Sequence, residues 1–395
     1  MNKIVIFSLL IIATVTGILT GFSIFEIDYE VKINTEGKGA VNPEAGSYRF
    51  NENEIIEIEA IPEAGWKFKE WQGDVREPQN IKTEIKISEN SQITAVFEFK
   101  GIEYTEEFTE GEGSKANPYH INTAAQLNNV RNHLNQHFKL TENIDLSNFT
   151  GKKGWQPIGS QNNPFTGSFI GDGYKITNLT IKRDENNDIG LFSVIDNGKI
   201  QNITLENVDI SGKTAVGGIA GWNLDGKIIE SSVSGEIWAA DWTGGITGIN
   251  SGQIEKSYTD VEIFGDEQVG GLTGVNNDLI KNSYTQGEIT GNAFVGGING
   301  VNSEGIIEKS YAVSNVRATR YSGGIAAIKD QGKIKNSYFA DNIIMGPKDD
   351  DYVRSQLHLK EANSNTVIDE KNIYQDWDDN IWDFGSKTDH PELKY

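Results

Sequence analysis

Cysteine is absent from the 395-residue chain. That absence excludes thiol nucleophiles, zinc–thiolate sites, iron–sulfur clusters and acyl anchoring through an N-terminal cysteine. It agrees with export from a cell that does not rely on disulfides. Basic residues are in short supply as well: 35 Lys and Arg stand against 57 Asp and Glu, a formal net charge of −22. Binding phosphates demands a basic face, so the chain is not expected to bind nucleic acid, and an anionic membrane surface is disfavoured as its main partner. The excess carboxylate reads as a well-solvated surface.

Charge is missing from one long stretch. Between Ile4 and Phe25 there is no charged residue, and "IVIFSLLIIATVTGILTGF" is almost wholly apolar. About 20 apolar residues suffice to span a bilayer as a helix. The same segment, residues 1–25, also fits a signal peptide, with Lys3 as a short basic n-region and Gly21-Phe-Ser23 as a small-x-small cleavage site. Either reading sends the remainder across the membrane, to the cell surface or beyond it, and makes this segment the only expected membrane contact. The C-terminal "PELKY" carries no hydrophobic tail, so no second anchor is expected.

Residues 28–99 alternate as short strands. Ile85, Ile87, Ile93, Ala95, Phe97 and Phe99 fall on one face at period two, and Trp66, Phe68 and Trp71 surround Gly65 and Gly73. The order G-x-G, Y-x-F, P-x-x-G-W-x-F-x-x-W-x-G-D, I-x-A-x-F resembles the divergent internalin-type B repeat of bacterial surface proteins. That resemblance implies a compact β-grasp-like module serving as stalk or spacer. A domain this small has few other large residues to bury, so Trp66 and Trp71 are expected to fill its core.

Repetition dominates the larger, C-terminal part of the chain. Glycine doublets stand at Gly217-Gly218, Gly244-Gly245, Gly270-Gly271, Gly296-Gly297 and Gly323-Gly324, 26 or 27 residues apart. A partial match, Ile189-Gly190-Leu191-Phe192, lies one period upstream. In register with the doublets run an Asn column (Asn223, Asn250, Asn276, Asn302), an Ile column (Ile228, Ile254, Ile280, Ile307, Ile334) and a Ser-Tyr column (Ser257-Tyr258, Ser283-Tyr284, Ser310-Tyr311, Ser337-Tyr338), with Val233 replacing Tyr in the first unit. Each unit is thus three short apolar strands separated by Gly, Asn and Asp turns. Such a unit cannot bury its own apolar side, but stacked on copies of itself it can, each strand pairing in parallel with its equivalent one rung away. A Gly-Gly ladder then marks a corner where Cβ atoms would collide, and an Asn ladder hydrogen-bonds turn to turn. The expected fold is all-β, a right-handed parallel β-helix over residues 113–345. A phosphate-binding loop is excluded, because the doublets are not followed by Lys-Ser/Thr and no helical pattern follows them.

V-G-G-L-x-G-x-N-x-x-x-I-x-N-S-Y, as in Val269 to Tyr284, resembles the GLUG repeat of bacterial surface proteins, and residues 216–340 hold five units in phase. Flanking segments around Gly113–Gly212 and the closing "DWDDNIWDFG" and "HPELKY" resemble those that bracket such repeats. The last unit departs at Ala327-Ile328-Lys329, having lost the third Gly and the Asn. GLUG repeats also occur in some IgA-cleaving metallopeptidases, but no H-E-x-x-H is present, so that activity does not carry over.

A solenoid must cover its open ends. "NTAAQLNNVRNHLNQHF" supplies a helical N-terminal cap, with Thr123 as N-cap and Ala124, Leu127, Val130, Leu134 and Phe138 along one face. A second helical pattern spans Tyr352 to Ala362, and residues 346–395, with Trp377, Trp382 and Phe384, are expected to close the other end. His133 and His137 have the i, i+4 spacing of two zinc ligands, but with no third ligand they read as the polar face of the cap. No metal or cofactor is expected.

Asp172, Asp225, Asp241, Asp260, Asp266 and Asp278 are scattered over different turn positions and read as turn residues. The sharper candidates are aromatic. Trp242, Phe294 and Tyr321 share one column, broken by Gln268, and Trp238 and Phe264 share another with Thr290 and Arg317. Aligned exposed aromatics would suit stacking on sugars or contact with protein. The expectation is an exported surface protein for binding or adhesion, non-catalytic, with an extracellular glycan or protein as ligand. The competing class is a carbohydrate-active β-helix enzyme, a polysaccharide lyase or glycosidase, which would need clustered carboxylates in a lateral groove.

Overall fold

The computed structural model describes residues 28–62, 66–99, 105–148, 153–339, 344–345, 377–383 and 391–394. The apolar segment 4–25, the helical pattern at Tyr352–Ala362 and Phe384 lie outside these residues. The chain divides into two compact units, Met1–Ile61 with Phe68–Val96, and Pro62–Lys67 with Phe97–Tyr395.

Residues 28–99 hold seven strands among the described residues: β1 (Asp28–Glu36), β2 (Gly39–Asn42), β3 (Gly46–Asn51), β4 (Ile55–Pro62), β5 (Trp66–Gln72), β6 (Lys82–Lys86) and β7 (Ser91–Phe99). They form a four-stranded sheet in the order β3-β1-β7-β5 and a three-stranded sheet in the order β2-β4-β6. β1 runs antiparallel to β3 and parallel to β7. The period-two face is the core: Ile85, Ile87, Ile93, Ala95 and Phe97 are all at most 3% exposed. Trp71 is buried with them, its indole N–H donating to the Asn80 carbonyl at 3.0 Å, whereas Trp66 is only half-buried.

The second unit is a parallel β-helix. Its three walls are sheets of eleven, nine and six strands, each strand paired with its equivalent in the next turn. One turn runs from Thr247–Asn250 through Gln253–Glu255 to the 13-residue strand Tyr258–Gly270. The expected three short strands per turn are therefore corrected: in four successive turns the third strand is 13 residues long, Thr204–Val216, Ser232–Gly244, Tyr258–Gly270 and Tyr284–Gly296. Left-handed residues inside these strands, Ala215, Trp242, Gln268 and Phe294, let the backbone bend without losing its partner.

The repeated columns perform the expected work, with one correction: the register sets Ser232, not Val233, in the tyrosine column beside Tyr258, and Val233 beside Thr259. Ile228, Ile254, Ile280 and Ile307 line the interior with Ile237, Ile263, Ile289 and Val316, all fully buried. Each such side chain contributes about 1.5–3 kcal/mol of transfer free energy. At the glycine corners a Cβ on Gly244 would lie 2.3 Å from the Thr247 carbonyl oxygen, and one on Gly271 would lie 2.3 Å from that of Gly297, so only glycine fits. Asn223, Asn250, Asn276 and Asn302 form a buried amide ladder, each Nδ2 donating to the next Oδ1 at 2.8, 2.8 and 2.9 Å. In the serine column each hydroxyl donates to the carbonyl two residues before it and accepts the backbone N–H of the serine one turn earlier, as Ser257 does from Ser231.

The ends differ from expectation. The cap helix is short, α1 (Ala124–Asn129), followed by a single 3-10 turn Val130–Asn132, and Thr123 Oγ1 accepts from the Gln126 N–H at 3.1 Å. The predicted helix face does not continue to Leu134 and Phe138. Phe138 lies instead in the strand His137–Leu140, paired in parallel with Tyr119–Ile121 and Ser168–Ile170. Asn and His are poor helix formers, and pairing with two strands satisfies the backbone of this segment on both sides.

Candidate functional site

The long strands carry the sequence-predicted aromatics on the outside of one wall. Their register aligns Ser211, Trp238, Phe264, Thr290 and Arg317 as neighbours from turn to turn. Trp238 and Phe264 stack with ring centroids 4.1 Å apart and planes 20° off parallel, and Trp238 remains 48% exposed. The second column is a bend. Asp188, Ala215, Trp242, Gln268, Phe294 and Tyr321 all adopt left-handed backbone, with φ between 49° and 58°. Such a conformation costs an L-residue about 1–2 kcal/mol, so its recurrence through turns holding Asp, Ala or Gln makes the bend part of the scaffold. The aromatic side chain is the local choice.

Phe294 and Tyr321 stack at 5.1 Å and 6°, while Gln268 separates Trp242 from them. The five residues thus form two stacked pairs and one separate tryptophan, not a continuous ladder. Among the described residues of the β-helix, the large apolar side chains exposed by more than a third, Trp238, Trp242 and Tyr321, all stand on this wall.

Two residues before the Trp238 column runs a line of carboxylates. Asp209, Glu236, Glu262 and Glu288 are register partners in consecutive turns. They border a groove of about 710 Å³ whose floor also includes Asp260, Gly235 and Gly287. Gly235 and Gly287 have φ of 129° and 102°, and a Cβ on either would fall 2.3 Å from the carbonyl oxygen of Val208 or Val261. These left-handed glycines, where a side chain would collide with the adjacent rung, shape the groove beside the ladder. At its ends the carboxylates are paired within the chain: Lys182 donates to Asp209, and Arg317 lies 3.7 Å from Glu288. Glu236 and Glu262, in the middle and exposed, face the stacked aromatics with no cation in the ladder between them. Adjacent rungs are about 4.8 Å apart, so each pair of neighbouring charges repels by about 1 kcal/mol in water.

Sequence reasoning missed this groove, although the signal was there. The carboxylates recur at 236 − 209 = 27, 262 − 236 = 26 and 288 − 262 = 26, the period of the glycine doublets. The aspartates read as scattered are brought together in part. Asp241 is pushed above the usual carboxylate range by burial, then by the charges of Glu267 and Asp266. Asp278 is raised by burial and by Asp225. Asp172 is a turn residue with φ of 53°. His133 and His137 are not on one helix: His133 packs edge-on against Phe108 at 5.5 Å, and His137 Nδ1 is 2.7 Å from Ser168 Oγ. Among the described residues no group of three or more His, Asp or Glu is arranged to hold a metal ion.

A second aromatic face is already occupied. Tyr258, Tyr284 and Tyr311 stack at 4.8 and 4.9 Å within 2° of parallel. Trp377, Trp382 and Leu393 cover them, and the Tyr311 hydroxyl donates to the Pro391 carbonyl. Burial pushes the Tyr284 hydroxyl well above its ordinary range. The described part of the closing segment thus straps the side of the solenoid.

Residues 29–101 match the family model described as "Divergent InlB B-repeat domain". A provisionally named Gly-rich membrane protein of Evansella cellulosilytica is 42% identical over 148 residues, which is 36% of this chain and 17% of that protein. Halomucin of Haloquadratum walsbyi is 29% identical over 240 residues, 58% of this chain and 2% of that protein. The chain therefore spans a small fraction of these relatives. Among solved structures, a protein from Bacteroides ovatus provisionally titled an immunoglobulin A1 protease superposes with a TM-score of 0.59 and 23% identity, covering 73% of this chain and 95% of that one. At that identity the likeness is one of fold.

Proposed function

We propose that this is an exported cell-surface protein that binds an extracellular ligand, glycan or protein, through the aromatic wall of its β-helix, without catalysis. In this reading residues 1–25 export or anchor the chain, residues 28–99 act as spacer, GLUG-type repeats build the binding solenoid over residues 113–345, and residues 346–395 close it. Similarity to a protein named as a membrane protein supports the location. The observation that carries the binding role is the exposed Trp238–Phe264 stack on a wall that also presents Trp242, Phe294 and Tyr321. Exposed aromatics gathered on one face of an otherwise acidic, well-solvated molecule mark an interaction site. Replacing Trp242 and Tyr321 with Ala should abolish retention on a glycan array while leaving the melting temperature unchanged. Undiminished retention would sink this reading.

One observation favours the enzyme class: carboxylates do line a lateral groove. Glycoside hydrolysis assigns different roles to two carboxyls, set by different environments. Here Glu236 and Glu262 are equivalent, both exposed at the same position of consecutive turns. Release of reducing ends from a bound polysaccharide, lost in Glu236→Gln or Glu262→Gln, would establish the enzyme instead.

A further inference from the structure

Resting on the binding role just proposed, the charge of this wall narrows the ligand. Trp238 and Phe264 present a stacked, half-exposed aromatic surface, and Glu236 and Glu262 stand two residues before them on the same side of their strands. Side chains two apart along a strand share a face, so each of these two turns offers one ring and one carboxylate side by side. The neighbouring carboxylates of the ladder have cationic partners, Lys182 for Asp209 and Arg317 for Glu288, whereas among the described residues no cation pairs with the two beside the rings. A neutral sugar would satisfy the rings but leave the like charges facing each other. An anionic one would add to the repulsion. A ligand carrying an ammonium group on each ring-sized unit would neutralise the carboxylates while its apolar body lies against the outward edges of the stacked rings.

We infer that the Trp238–Phe264 stack and the Glu236–Glu262 pair together form a subsite for an amine-bearing glycan, a polymer of unacetylated amino sugar lying along the solenoid axis. The chemistry divides between two groups. The pyranose rings lie against the outward edges of the stacked indole and phenyl groups, and each ammonium donates to the carboxylate one column away. One rung is about 4.8 Å, of the order of one sugar ring, so consecutive turns meet consecutive units of the chain. An extended basic peptide fits less well, because its same-face side chains are about 6.6–6.8 Å apart and so fall out of step with the rungs.

Titration calorimetry with a glucosamine hexamer, its fully N-acetylated counterpart and an oligolysine of equal charge tests this on the whole protein. The expected result is binding of the glucosamine hexamer at least tenfold tighter than the other two, reduced at least tenfold in Trp238→Ala and in the isosteric Glu236→Gln/Glu262→Gln variant. Oligolysine binding as tightly, dependent on the glutamates but not on Trp238, would overturn it. Equal binding of the acetylated hexamer through Trp238 would overturn the amine preference and leave the binding role intact. Failure of every glycan to bind would overturn both.

Discussion

Replacing Asn250 with Ala removes the centre of the buried amide ladder. Its Nδ2 donates to Asn276 Oδ1 at 2.8 Å and to the Gly252 carbonyl at 2.9 Å, and its Oδ1 accepts from Asn223 Nδ2 at 2.8 Å. The losses are unequal. Asn276 Oδ1 is left with no donor in a fully buried site, whereas Asn223 Nδ2 keeps the Gly226 carbonyl at 3.3 Å and Gly252 keeps its bond from the Leu279 N–H. An orphaned buried acceptor costs about 1–3 kcal/mol and each other lost bond about 0.5–1.5 kcal/mol, with a small cavity added. The sum is about 2–6 kcal/mol. Asn302, at the top of the ladder, is the internal control. Its removal leaves Asn276 Nδ2 still bonded to the Asp278 carbonyl at 3.0 Å, so the loss should be smaller by about 1–3 kcal/mol. Urea unfolding followed by circular dichroism compares the two at constant m-value. An Asn302→Ala variant as destabilised as Asn250→Ala, or an Asn250→Ala cost below about 1 kcal/mol, would refute the ladder as a stabilising element.

Gly271→Ala places a methyl 2.3 Å from the Gly297 carbonyl oxygen and 2.7 Å from Thr285 Cγ2, and should lower stability by at least about 1–3 kcal/mol in thermal unfolding. Trp382→Ala should unlatch the strap from Tyr284 and Tyr311, seen as faster hydrogen exchange over 377–383 and 391–394 with the lower turns unchanged; unaltered protection there would contradict the packing. Burial, Glu267 and Asp266 raise the Asp241 carboxyl, so the folded state holds its proton more tightly than the unfolded one, and that contribution is lost as pH rises through the range above the ordinary carboxylate value. Asp241→Asn should therefore raise the melting temperature at pH 7 but not at pH 3, by an amount worth less than about 1 kcal/mol because the group is partly solvated.

The solenoid was legible because stacking makes the sequence repeat what the structure repeats. A corner that excludes Cβ must be glycine in every turn, and an amide ladder must be Asn in every turn, so Gly244, Gly270, Asn250 and Asn276 announce the rung length directly. The 13-residue strands were not legible, since their left-handed bend is filled by Asp, Ala, Trp, Gln, Phe and Tyr in turn and has no residue signature. The extent of the cap helix was misread because apolar spacing in Leu134 and Phe138 satisfied a helix while strand pairing with Ser168–Ile170 decided the outcome. At the candidate site the two aromatic columns were visible, but their exposure depends on which columns the closing segment covers. The Tyr258–Tyr284–Tyr311 stack looks equally suited to a ligand in sequence, but Tyr284 and Tyr311 are buried under Trp377 and Trp382 and Tyr258 is half-buried. The carboxylate ladder keeps the period of the glycine doublets, but its four residues are masked among 57 Asp and Glu spread over the chain.

The central claim is that the aromatic wall binds and does not catalyse. A polysaccharide panel scored on one sample for both retention and degradation tests it most directly. The expected result is retention of at least one glycan, lost in Trp238→Ala, with no new reducing ends or unsaturated products over prolonged incubation. Degradation that tracks Glu236 or Glu262, or retention indifferent to Trp238, Trp242 and Tyr321 together, would contradict it.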